Sequence, residues 1–149
     1  MFEVPCGPER ASIDRSRLVD VGAPLRWALR FESPLRTIVV RLDGTDDGAY
    51  SRLVDLAELA LPGLAALEVA ADAYLRSWID PAAHFLTGTW RVRSLWLTWD
   101  ALPEELRGHD LELRLTITGD DYGEWCVRFK DQSSPSPRLA AYAFARRQW

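Results

Sequence analysis

The chain has 149 residues, 48% apolar and 27% charged, enough for one domain with a substantial core and too few for two. With 18 basic against 22 acidic residues its net charge is −4, which argues against general nucleic-acid binding, where phosphate neutralisation needs an excess of Lys and Arg. No apolar run approaches the roughly 20 residues that span a bilayer, and residues 1–10 carry Glu3, Pro5, Pro8 and Glu9 where a signal peptide has basic and apolar regions. The expectation is a soluble, cytoplasmic protein without membrane contact.

Two cysteines, Cys6 and Cys126, are too few for a disulfide scaffold and fit a reducing compartment. Every basic residue except Lys130 is arginine, which reads either as the codon bias of a GC-rich bacterial genome or as selection for bidentate anion contacts. Seven tryptophans are the more unusual count. Each brings a large apolar area and an N–H that needs a partner when buried.

Residues 1–25 show no sustained period and read as an irregular arm that covers part of the core. From Trp27 the chain alternates, with Trp27, Leu29 and Phe31 on one side, and after Ser33-Pro34 the alternation resumes with Ile38, Val40 and Leu42. These two segments predict a hairpin. Asp43, Asp46 and Asp47 precede a helical period over 49–60, where they read as helix caps; their spacing does not match a calcium loop. Leu61-Pro62-Gly63 interrupts, and a second helix is predicted over 63–79 with Leu64, Leu67, Ala71, Leu75 and Trp78 on its core face.

The second half reads as strands. In 90–99 the apolar positions change phase, from Trp90 and Val92 to Leu95, Leu97 and Trp99, which predicts a bulge near Ser94 and turns Trp96 outward. Residues 100–108 form a loop. Leu111, Leu113, Leu115 and Ile117 alternate with polar residues, Gly119 to Gly123 is turn chemistry, and Trp125, Val127 and Phe129 alternate again. Setting Ile117 opposite Trp125 pairs Leu115 with Val127 and Leu113 with Phe129, all on one face. A Ser/Pro-rich loop at 132–137 leads to a final strand over 141–149. The expected fold is α+β: an antiparallel sheet of about five or six strands with two helices packed on one face, and a core that holds Trp27, Trp78, Trp90, Trp99 and Trp125.

Catalytic templates lack parts. His84 and His109 fall in loops, no metal or nucleotide motif occurs, and Cys126 lies on the polar face of its strand without a histidine near it in sequence. No catalytic residue, metal ligand or cofactor is expected. Asp120, Asp121 and Glu124 cluster at a hairpin tip, where solvation keeps carboxyls ordinary. The same register sets Arg114 opposite Arg128 and Glu112 opposite Lys130 on the outer face, with Arg91 and Arg93 on that face too. Screening by solvent is the bland account of these charges. The sharper one is an exposed surface of Arg91, Arg93, Trp96, Arg114 and Arg128 that anchors a protein partner with an acidic surface, arginine and tryptophan being frequent hot-spot residues. Trp149, after Arg146-Arg147-Gln148, either staples the sheet edge or docks elsewhere.

With Tyr122-Gly123-Glu124-Trp125, Val127, Phe129, Phe144 and the closing Arg146-Arg147-Gln148-Trp149, residues 88–149 resemble small uncharacterised bacterial domains. Some of these resemble immunity proteins of contact-dependent or polymorphic toxin systems. The resemblance implies a stoichiometric, non-catalytic binder and assigns no residues. Two classes stay open: a binding protein that uses the arginine-bearing face, and a small enzyme or ligand binder with a pocket between helices and sheet. The acids of the second class would come from Asp120, Asp121 and Glu124 or from the loop of Asp43 to Asp47.

Overall fold

A computed structural model describes residues 2–22, 25–32, 37–80, 82, 87–99, 109–132 and 136–148. The N-terminal arm supplies β1 (Glu3–Pro5) and β2 (Val19–Asp20), and β3 (Trp27–Glu32) and β4 (Thr37–Leu42) follow as the expected antiparallel pair. β5 (Gly44–Thr45) and β6 (Gly48–Ala49) form a two-stranded ribbon of their own. After the helical region come β7 (Thr87–Trp99), β8 (His109–Thr118), β9 (Gly123–Gln132) and β10 (Arg138–Gln148). Eight strands make one sheet in the order β1-β10-β9-β8-β7-β4-β3-β2.

This corrects the expected antiparallel sheet of about five or six strands under two helices. The sheet has eight strands and is mixed, because β4 and β7 run parallel, Val40 beside Leu95 and Leu42 beside Leu97. Connectivity is the cause: the chain leaves β4, crosses one face as a helix and returns in the same direction, the kind of crossover that parallel neighbours need. The additional strands come from the arm, β1 against Arg138–Ala140 of β10 and β2 against Trp27 and Ala28 of β3. Such short segments have no legible period and become strands because a sheet edge offers them backbone partners.

The cover is one helical stretch of 28 residues. α1 (Ser51–Ala60) passes through a 3-10 turn at Leu61–Gly63 into α2 (Leu64–Trp78). Pro62 lies at the start of that turn, where its missing N–H is not required, so it tightens the helix instead of ending it. The aspartates before α1 do not cap it. Tyr50 is the N-cap and makes no side-chain cap bond, while Asp43 Oδ1 accepts the Gly44 N–H at 2.9 Å and Asp46 pairs with Arg26.

Leu53, Leu67 and Leu75 of the helical stretch share one buried cluster with Val40, Leu42, Leu95, Leu97, Leu113 and Phe129 of the sheet, all at 0% exposure. Full burial of such a side chain is worth about 1.5–3 kcal/mol. In β7, Val92 faces Leu115 and Ser94 faces Arg114, leaving Arg93 as the extra residue of a bulge; this keeps Val92, Leu95 and Leu97 on the core side in spite of the phase change. The arm is tied down by Glu58, whose Oε2 accepts the Ile13 N–H and whose carbonyl accepts that of Ala11, both at 2.8 Å.

Two further expectations change. Trp78 is not a core residue but 66% exposed, lying against Phe144 of β10. In the β8–β9 pair Leu115 faces Trp125, Leu113 faces Val127 and Leu111 faces Phe129, two residues away from the expected register. A shift of two leaves every apolar residue on the same face, so the pattern alone does not choose between registers. The turn chooses, closed by the Asp120 N–H on the Ile117 carbonyl at 3.2 Å. Glu112 therefore faces Arg128 and Arg114 faces Cys126, and the expected pair of opposed arginines does not form. The loop over 100–108, His84 and Trp149 lie outside the described residues, as do the side chains of Trp99 and His109.

Gly44 supports the β5–β6 ribbon under Trp27, whose Nε1 donates to the Thr45 carbonyl at 2.9 Å. A Cβ at Gly44 would collide with the Gly48 carbonyl and come within 2.7 Å of Ala49 Cα and Trp27 Cδ1, whereas one at Gly63 meets nothing within 4 Å. Gly44→Ala is expected to destabilise the fold by about 1–3 kcal/mol or more through overpacking, and Gly63→Ala by less than about 0.5 kcal/mol, in urea unfolding of both variants.

Candidate functional site

Across from the core, the other side of the sheet carries a polar cluster that the strand pairings assemble. The parallel pairing sets Arg41 beside Trp96, and the antiparallel pairings continue that row to Glu112 and Arg128. One row further, Ser94, Arg114 and Cys126 stand side by side. The guanidinium carbon of Arg114 lies 3.5 Å from the Trp96 ring centre and that of Arg41 4.9 Å, both within the roughly 6 Å over which a cation is attracted to an aromatic face.

Arg114 Nη1 donates to Glu124 Oε1 at 2.6 Å and Nη2 to Glu112 Oε2 at 3.3 Å. Arg41 donates from Nε and Nη2 to the Leu25 carbonyl at 3.1 and 2.8 Å. That carbonyl belongs to a residue held at φ 55°, a left-handed conformation that costs a non-glycine residue about 1–3 kcal/mol and persists where its surroundings fix it. Arg114 is only 7% exposed and Glu112 9%, and Arg114 Nε is buried without a hydrogen-bond partner. A cleft of about 430 Å³ opens on the cluster, and its lining includes Leu25, Arg26, Trp96, Glu112, Arg114 and Arg147.

Of the five residues that the sequence marks as one binding surface, the structure sets Trp96, Arg114 and Arg128 in adjacent rows of the same sheet face. Arg91 and Arg93 line a separate cleft of about 530 Å³ with Thr116, Thr118, Asp120 and Asp121, where Arg93 Nε donates to Thr116 Oγ1 at 3.0 Å. Trp149 lies outside the described residues. The expectation of solvent-facing arginines is corrected at Arg114, which two glutamates and Trp96 hold within the sheet face. Sequence reading misses Arg41, because only the parallel pairing brings it to Trp96. It also misses the role of Glu124, which the turn register brings within reach of Arg114, and Arg147, which reads as part of a tail.

The chemically versatile groups here are already engaged. Asp120 accepts from Arg146 Nε and Nη2 at 2.8 and 2.7 Å and from Trp125 Nε1 at 2.8 Å. The Arg146 guanidinium is the main reason its pKa falls from 3.8 to about 2, so it is a fixed anion and not a proton shuttle. Burial, reinforced by the negative charge of Glu112, pushes the Cys126 thiol up to about 11, away from nucleophilic thiolate. Among the described residues no group of three His, Cys, Asp or Glu is placed to hold a metal ion, and no helix is long and apolar enough to cross a membrane. No protein-family model matches the chain, and no curated protein or solved structure matches it.

Two outcomes follow from this geometry. Arg114→Met leaves Glu112 and Glu124 without their shared cation, and a loss of about 3–5 kcal/mol is expected in denaturant unfolding, as for other broken buried pairs. Because the folded pKa of Asp120 lies below its unfolded value, its contribution is present above about pH 4 and is lost as the pH falls towards 2. With allowance for solvent screening this amounts to about 1–2 kcal/mol, and Asp120→Asn should flatten the stability profile over that window.

Proposed function

We propose that the chain is a non-catalytic binding protein whose Trp96–Arg114 cleft takes carboxylate groups from the acidic surface of a protein partner. The observation that carries this reading is Arg114, a buried cation stacked on Trp96 at 3.5 Å with its Nε donor unused. At the rim of the same cleft Arg147 is exposed and has no ion-pair partner among the described residues. The exposed guanidinium of Arg147 suits bidentate carboxylate recognition, while Arg114 is already bonded through Nη1 and Nη2 to Glu124 and Glu112 and adds its positive charge to the cleft. Tryptophan beside arginine is the composition of a binding hot spot. The resemblance of residues 88–149 to small uncharacterised bacterial domains, some of them immunity-like, implies the same class of stoichiometric binder.

The alternative, an enzyme or small-ligand binder with a pocket between helix and sheet, has less behind it. That space is filled by leucines at 0% exposure. The carboxyls of Asp120, Glu112 and Glu124 are held by arginines. A cavity of about 270 Å³ between the arm and the helical stretch is lined by Val4, Cys6, Leu59, Leu67 and Leu139, with Glu9 as its acid.

The test is a native mass spectrum of the protein isolated from its own host, run beside Arg147→Glu. The wild type should carry a protein partner at fixed stoichiometry, and the charge reversal should lower its occupancy at least about tenfold, the effect of about 1.4 kcal/mol. A wild-type chain that is always bare, or a partner retained equally by the variant, would overturn the reading.

A further inference from the structure

The cleft leaves one large feature unused, the outer margin of β10. β1 pairs only with Arg138–Ala140, and the Phe2 carbonyl accepts the Ala141 N–H at 3.0 Å. Beyond that point residues 143–148 have β9 on one side and, among the described residues, no strand on the other. A strand in this position directs backbone N–H and C=O groups outward at alternate residues, a template for another strand. Its protection is thin. The bulge between Ala141 and Ala143 lies where β1 ends, and the charge of Arg146 is already met by Asp120 at 2.7 Å. Beside the margin stand two exposed aromatics, Trp78 at 66% and Phe144 at 36%, their ring centres 6.1 Å apart.

We infer that this margin is the interface between two copies of the chain, β10 pairing antiparallel with the partner's β10 about a two-fold axis at Ala145. The segment is self-complementary in that register. Phe144 lies opposite the partner's Arg146, Ala143 opposite the partner's Arg147, and Ala145 opposite the partner's Ala145, so no like charges meet directly. Centring the axis on Arg146 would oppose two arginines, and centring it on Phe144 would pair fewer of the residues beyond β1. The small side chains of Ala143 and Ala145 leave Arg147 its place in the cleft. Trp78 contacts Phe144, one residue from the axis, so the Trp78 rings of both copies flank the axis on the helix side and lose water contact there. This accounts for a large aromatic left at the surface of each copy. An isologous contact of this kind closes on itself and joins two sheets into one without forming a fibre.

Sedimentation velocity on the full chain over the micromolar range tests the inference. The wild type should sediment at twice the chain mass. Ala145→Glu and Ala145→Lys, each at an exposed position, should separately raise the dimer dissociation constant at least about tenfold through like-charge opposition. An equimolar mixture of the two should dimerise again. Trp78→Ala should weaken the dimer in the same direction with an unchanged circular dichroism spectrum. A monomeric wild type, or a dimer indifferent to both charge variants and to Trp78→Ala, would overturn it.

Discussion

The parallel pairing of β4 with β7 is the joint on which the molecule depends. On one side of it lies the antiparallel set β2-β3-β4, on the other the set β7-β8-β9-β10-β1, and four residue pairs, from Val39 with Ser94 to Leu42 with Leu97, join them into one sheet. The helical stretch from Ser51 to Trp78 exists in this form because a parallel neighbour demands a crossover. In making it, the chain lays Leu53, Leu67 and Leu75 over Val40, Leu42, Leu95 and Leu97, and dry packing then holds the joint closed.

The same joint builds the polar side. Strand side chains alternate between faces, so the register that buries Val40 beside Leu95 also sets Arg41 beside Trp96. Burying Arg114 between Glu112 and Glu124 is not an efficient route to stability, since desolvation of the ions offsets much of their attraction and apolar replacements of similar shape often serve as well. The cluster costs desolvation, keeps an unused Nε and opens on a cleft, and these are the features on which the proposed binding role rests. The edge of β10 poses the complementary question, since the backbone of its last six residues is ordered by β9 and, among the described residues, has no strand on its outer side.

How far the sequence can be read depends on the range of the interaction that decides each feature. The phase change between Val92 and Leu95 disclosed the bulge at Arg93, because two core-facing runs in one strand need one extra residue between them. The alternation of Leu111, Leu113 and Leu115 disclosed β8 and its faces, but not its register against β9. Registers two residues apart bury the same side chains, and the turn hydrogen bond at Asp120 separates them. Pro62 looked like a helix end because its local effect is to remove a donor, yet in the first turn of the 3-10 segment Leu61–Gly63 that donor is not required. β1 and β2 were illegible, having no period, and the Asp43 loop was misread as caps because the β5–β6 ribbon intervenes before Tyr50.

Local chemistry and periodicity by themselves determined the composition class, the position of most strands, the helical segments and the side of each strand that meets the core. They also marked Trp96, Arg114 and Arg128 as polar-face residues, since alternation is a property of neighbours in the chain. Tertiary structure alone decided that the sheet is mixed and has eight strands, that Arg41 and Glu124 join Trp96 and Arg114, that Arg91 and Arg93 belong to another cleft, and that Trp78 stays at the surface. The physical reason is common to all four: each depends on which strand lies beside which and in what register, a choice set by crossover, turn and edge pairings between residues far apart in the chain.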